Sequence, residues 1–140
     1  GADVFNENAI EKIYKLKQRK RDKALIVHLS KIEDVEKVAC DIPDIFYVLA
    51  KEFFPGPLTI VLKKKPNLPK NISSDDTIAV RMPDCRSALK FIEFVKGPIV
   101  GTSANISSQK PPINADQVLA AFEGKVSAII DAGECLIKVP

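Results

Sequence analysis

The chain has 140 residues, 46% of them hydrophobic and 28% charged, with a formal net charge of +3. That is the size of one domain around one core and the composition of an ordinary globular protein, which excludes intrinsic disorder, collagen and coiled coil. No apolar run approaches the roughly 20 residues that span a bilayer, and so mild a charge does not by itself mark a nucleic-acid binder. Three cysteines without a CxxC pair, and a single histidine, argue against a disulfide scaffold or a structural zinc site. They point to a reducing, cytoplasmic compartment. The opening at Gly1 without Met and the stop at Pro140 predict one domain over 1–140, incomplete at both termini.

Asn8 followed by Glu11 predicts a helix cap, and Ile10, Ile13, Tyr14 and Lys17 follow helical spacing. The apolar, β-branched run 24–29 predicts a strand. Ser30 and Glu33 predict the start of a second helix with Ile32, Val35, Val38 and Ala39 inward. Pro43 suits the first turn of a third helix, running to about Phe53, with Ile45, Val48, Leu49 and Phe53 inward. Pro55-Gly56-Pro57 breaks it, and strands follow over 58–63 and 77–82. Asp84 predicts a cap for a helix to about Val95, with Ala88, Leu89, Ile92 and Val95 inward, stopped by Gly97-Pro98. A short strand over 99–101 leads into a polar loop over 102–112. Asn114 and Gln117 cap one more helix, closed by Gly124. A strand over 128–131 and a tight turn into 135–139 complete the chain. Alternating helices and strands predict an α/β fold, with a mixed sheet because of the terminal hairpin. In such sheets ligands gather beyond strand ends.

Four features there could carry chemistry. Arg81 falls in an apolar strand run, where a cation needs a partner. It is either on an edge strand in solvent, in a structural ion pair, or lining a cleft for a carboxylate or phosphate. His28 is either a satisfied structural histidine or a neutral ligand contact and proton acceptor. Lys17 and Arg19 are either the solvated end of a helix or a pair suited to phosphate oxygens. They belong to a basic run over 15–23 that usually means a solvated face. Thr102, Ser103 and Asn105 form either an ordinary capped loop or a turn of hydroxyls, amide and N–H donors for an oxyanion or a base edge. Neither a P-loop nor a dinucleotide fingerprint is present.

The order of these features is more specific than any one of them. Lys17-Gln18-Arg19, the strand ending at His28, Pro55-Gly56-Pro57-Leu58-Thr59, Val80-Arg81-Met82-Pro83, Thr102-Ser103-Ala104-Asn105 and Ile129-Ile130-Asp131-Ala132-Gly133 together resemble the YrdC-like family of threonylcarbamoyl-adenylate synthases over nearly the whole chain. The resemblance implies a twisted mixed α/β sheet flanked by helices around a concave basic cavity, the YrdC-like fold shared with a butanone-phosphate synthase. It implies a nucleotidyltransferase that joins L-threonine, bicarbonate or CO2, and ATP with Mg2+ into threonylcarbamoyl-AMP and pyrophosphate. The product would feed a tRNA threonylcarbamoyltransferase complex acting on adenosine 37. It implies Lys17 and Arg19 as catalytic, ATP-binding cations, Ser103 and Asn105 on the nucleotide side, and His28 and Arg81 at the threonine and carbamate end. Thr59 would be supporting structure beside the cavity, and no residue is assigned to a bound metal.

The sequence departs from that pattern. Lys20 follows Arg19 where Pro or Thr is common, Ala24 stands in a usual Pro position, and Cys85 stands where His is frequent. Ser107-Ser108-Gln109 replaces a usual Gly after Asn105. Two other readings compete. The same cationic concavity could hold double-stranded RNA without chemistry, although seven Phe, two Tyr and no Trp offer no evident stacking platform. A hydrogenase-maturation carbamoyltransferase has a similar carbamoyl-adenylate-forming domain, normally beside zinc-finger modules.

Overall fold

The computed structural model describes residues 1–135. Its elements run β1 (Ala2–Asp3), α1 (Glu7–Lys17), β2 (Ile26–His28), a 3-10 turn (Ile32–Lys37), β3 (Ala39–Cys40), α2 (Asp44–Phe53), β4 (Ile60–Lys64), a 3-10 turn (Lys70–Ile72), β5 (Thr77–Arg81), α3 (Arg86–Phe94), β6 (Ile99–Gly101) and α4 (Ala115–Phe122). The strands form a six-stranded mixed sheet in the order β1-β6-β2-β5-β4-β3.

The sheet is mixed for a different reason from the one expected. Only β2 and β5 run parallel, while β1·β6, β2·β6, β3·β4 and β4·β5 are antiparallel. The expected hairpin strand over 135–139 lies, beyond Cys135, outside the described residues. Residues 128–131 are irregular rather than a strand, because no ladder partner adjoins them among the described residues.

Register assigns each side chain to a face. Val27 pairs with both Val80 and Val100, and all three are fully buried. Ile10, Ile13 and Tyr14 of α1 and Phe46 of α2 belong to the same core. The next residue along each strand points the other way. Ile26, His28, Ala79, Arg81 and Ile99 share the second face and are all half-buried, and Val61 there is 61% exposed. One face is therefore sealed by helices, and the other is open and carries the polar residues.

Local chemistry explains most boundaries. Asn6, not Asn8, caps α1: its side chain accepts from the Ala9 N–H at 2.9 Å, and Glu7 occupies the first turn. Asn114 caps α4 as expected, accepting from the Gln117 N–H at 3.1 Å. The second expected helix is only a 3-10 turn. Ladder pairing of Ala39 and Cys40 with Lys64 and Lys63 draws the backbone out of helix there. In α2 the expected inward face is wrong. Phe46 and Ala50 are buried, while Ile45, Val48 and Phe53 are 56%, 63% and 51% exposed. In α3, Cys85 rather than Asp84 takes the cap position, Ile92 is buried and Val95 is exposed.

Candidate functional site

The site grows on three adjacent strands. β2 ends at His28 and β5 at Arg81, and the parallel ladder places these two side by side on the open face, while β6 runs the other way, with Ile99 opposite His28 and Gly101 opposite Ile26. β5 lies between β2 and β4, so Arg81 is not on an edge strand. Nor is it in an ion pair: among the described residues no carboxylate lies within salt-bridge distance of it. Its Nε–H donates to Thr59 Oγ1 at 2.8 Å. Both ordinary explanations of an arginine in this strand therefore fail. What remains, among the described residues, is a half-buried guanidinium whose terminal nitrogens have no hydrogen-bond partner and that has no counter-charge.

His28 is held in its neutral form. Burial and the neighbouring Arg81 guanidinium lower its pKa to about 4. Its ring lies close against Gly101, where any Cβ would come within 2.5 Å of the His28 Cε1. As long as no anion adjoins it, the ring is a neutral polar contact and a weaker base than an ordinary histidine.

Lys17 is not the solvated end of its helix. It is buried at the end of α1, and its ammonium donates to the carbonyls of both Ser103 and Asn105. The Ser107 N–H in turn donates to the Lys17 carbonyl at 2.8 Å. Lysine and loop thus hold each other. Burial, with Arg19 nearby, lowers the Lys17 pKa to about 8. The Asn105 side-chain amide donates to the carbonyls of Ile106 and Gln109. Asn105 Oδ1 and Ser107 Oγ are buried without a hydrogen-bond partner among the described residues. Ser103 is exposed at the loop surface, and its N–H and that of Ala104 have no protein acceptor among the described residues. Ser107 stands out in the sequence only as a departure from the family pattern, because nothing marks one serine of a polar loop as the one whose N–H meets the Lys17 carbonyl.

Arg19 is folded onto its own turn, donating from Nε to the Lys23 carbonyl at 3.0 Å and from Nη2 to the Ala24 carbonyl at 2.8 Å. The rest of the basic run is surface: Lys15, Lys20 and Lys23 are exposed, and Arg21 pairs with Glu11 and stacks over Tyr14. Beside Lys17 and Ser103 opens a cleft of about 590 Å3 with mostly apolar walls, among them Pro112, Val118, Phe122 and Ile129. That volume suits a small-molecule ligand. His28 and Arg81 do not line this cleft. No group of three or more His, Cys, Asp or Glu among the described residues is placed to hold a metal ion.

A protein-family model described as "Telomere recombination", which joins Sua5, YciO and YrdC, matches residues 1–140. The chain belongs to this Sua5/YrdC family. It is 45% identical over 140 residues to a threonylcarbamoyl-AMP synthase of Pyrococcus abyssi, covering 99% of this chain and 41% of that protein. It is 36% identical over 139 residues to a putative threonylcarbamoyl-AMP synthase of Methanocaldococcus jannaschii, covering 99% of this chain and 65% of that one. Among solved structures, the P. abyssi Sua5 complexed with L-threonine superposes with a TM-score of 0.92 at 45% identity, over 96% of this chain and 40% of that one. The chain thus spans about two-fifths of the length of its P. abyssi relative. The Sua5/YrdC fold expected from the motif order is the fold observed. No described helix is long and apolar enough to cross a membrane.

Proposed function

We propose that this chain carries the substrate-binding sheet of a threonylcarbamoyl-AMP synthase, a cytoplasmic nucleotidyltransferase acting on L-threonine, bicarbonate or CO2, and ATP. The observation that carries the reading is Arg81: a central-strand cation on an open sheet face, beside a neutral imidazole and, among the described residues, without a carboxylate partner. A site of that kind is complementary to an anion. The similarity to a Sua5 solved with L-threonine supports the carboxylate of threonine as that anion.

In this reading the threonine amino group takes up the carboxyl carbon of bicarbonate, losing water, to give a carbamate. A carbamate oxygen then attacks the α-phosphorus of ATP. An O–P bond forms to the carbamate, the Pα–O bond to the β-phosphate breaks, and pyrophosphate leaves. Both reactants are anions, so catalysis is positioning and charge neutralisation rather than covalent work by a nucleophile. The Arg81 fork would hold the threonine and carbamate end, and neutral His28 would offer a polar contact that adds no second cation. Ser103 and Asn105, on the loop that Lys17 ties down, would face the nucleotide. Lys17 and Arg19 would bind phosphate oxygens by turning N–H groups that now meet backbone carbonyls. Mg2+ enters as the ATP complex, held by phosphate oxygens. The product would pass to the machinery that modifies adenosine 37 of tRNA.

The test is pyrophosphate release from Mg2+-ATP with bicarbonate, with and without L-threonine, by the wild type and by Arg81→Ala. Threonine-dependent release that falls by about 100-fold or more in Arg81→Ala is the expected result. Release that ignores threonine, or an Arg81→Ala variant as active as the wild type, would remove this reading.

A further inference from the structure

The segment before β4 makes a specific approach to Arg81. Gly56 donates its N–H to the Met82 carbonyl at 2.8 Å, one residue past Arg81. A side chain at position 56 would come within 2.4 Å of the Phe53 carbonyl oxygen, so the turn closes only on glycine. From this clamp the chain enters β4, where Ile60 pairs with Val80 and Val61 with Ala79. Continuing that register sets Thr59 opposite Arg81 on the open face. The Thr59 hydroxyl there accepts the Arg81 Nε–H at 2.8 Å.

We infer that Thr59 is a positioning residue for Arg81, and through it for a bound carboxylate. The inference rests on the threonine reading above and deepens it. A guanidinium carries five N–H donors in one plane. Fixing the Nε edge fixes the plane, and leaves the two terminal nitrogens as a fork for two oxygens. Thr59 suits the task because its β-branch restricts χ1, so the acceptor itself does not swing. The hydroxyl accepts from Arg81 and keeps its own proton to donate. Without this anchor the long arginine side chain would sample several rotamers over the open face, and binding would have to order it.

The test compares wild type, Thr59→Val and Thr59→Ser in the full-length protein. Valine keeps the shape and removes the hydroxyl, while serine restores it. L-threonine affinity measured by calorimetry should fall about tenfold in Thr59→Val and stay within about twofold in Thr59→Ser. Affinity for an ATP analogue and the melting temperature should hardly move. The Arg81 Nε–H resonance, observed by NMR without ligand, should be protected from solvent exchange in wild type and Thr59→Ser and lose protection in Thr59→Val. Equal threonine affinity in Thr59→Val and wild type overturns the inference, as does an Nε–H equally protected in both. If the wild type itself does not bind L-threonine, the substrate reading fails. The exchange measurement then still decides whether Thr59 holds Arg81.

Discussion

His28 and Gly101 form a unit in which one residue's missing side chain sets the other's chemistry. The imidazole occupies the space a Cβ at position 101 would fill, and its pKa of about 4 follows from burial and from Arg81. The ordinary histidine pKa is near 6.5, so the unfolded chain binds more protons than the folded one between the two values. The sign follows directly. The stabilising contribution of His28 is complete above pH 6.5 and is lost as pH falls towards 4. Gly101→Ala should push the ring out of its seat while sparing the fold, since a side chain can move where a backbone cannot. An NMR titration is expected to show the His28 pKa rising towards the ordinary histidine value in Gly101→Ala. Thermal melts should lose part of their dependence on pH between 4 and 6.5. An unchanged titration would mean that the ring is not held by that contact.

Among the elements, α1 is the one on which the site depends most, because its last residue is Lys17 and its first turn is set by Asn6. The sequence offers two asparagines, two residues apart, with helix formers behind each. Only the backbone decides between them: Asn6 is extended, at φ −98° and ψ 95°, while position 8 is already helical. Asn6→Ala should cost about 1 kcal/mol in chemical denaturation and Asn8→Ala much less. The reverse order would place the cap where the sequence pattern first suggests it. The same ambiguity explains the misread face of α2. Ile45, Val48, Leu49 and Phe53 are apolar at helical spacing, and so are Phe46 and Ala50. Two apolar stripes on one helix satisfy the periodicity equally, and only the neighbouring strands and turn select Phe46 and Ala50 for the core.

For the molecule as a whole, Phe46 tests that selection. It is 1% exposed and meets Tyr47 and Phe54 edge-on, with ring centroids 5.2 and 6.3 Å away. Phe46→Ala should destabilise the fold by about 3–5 kcal/mol in urea, whereas Val48→Ala, on the exposed stripe, should change stability by less than about 0.5 kcal/mol. Comparable losses at both positions would return Val48 to the core. The open face of the sheet is likewise a property of the whole molecule. Alternation along each strand separates Val27 and Val80 from His28 and Arg81, but alternation alone does not say which face the helices cover.

Much of this protein was legible in the residues by themselves. The α/β class, most of the strands, the cap at Asn114 and the ordered series from Lys17 to Asn105 that marks the family all rest on local chemistry and spacing, which survive in one dimension. Tertiary structure decided the rest. It set Arg81 on a central strand with no acid paired to it among the described residues, and turned the Lys17 ammonium onto the carbonyls of Ser103 and Asn105. It also left residues 128–131 outside the sheet. The physical reason is the same in each case. A side chain's charge and an element's periodicity are local, but a partner, a neighbouring strand and the choice between two apolar stripes are set by residues distant in the chain.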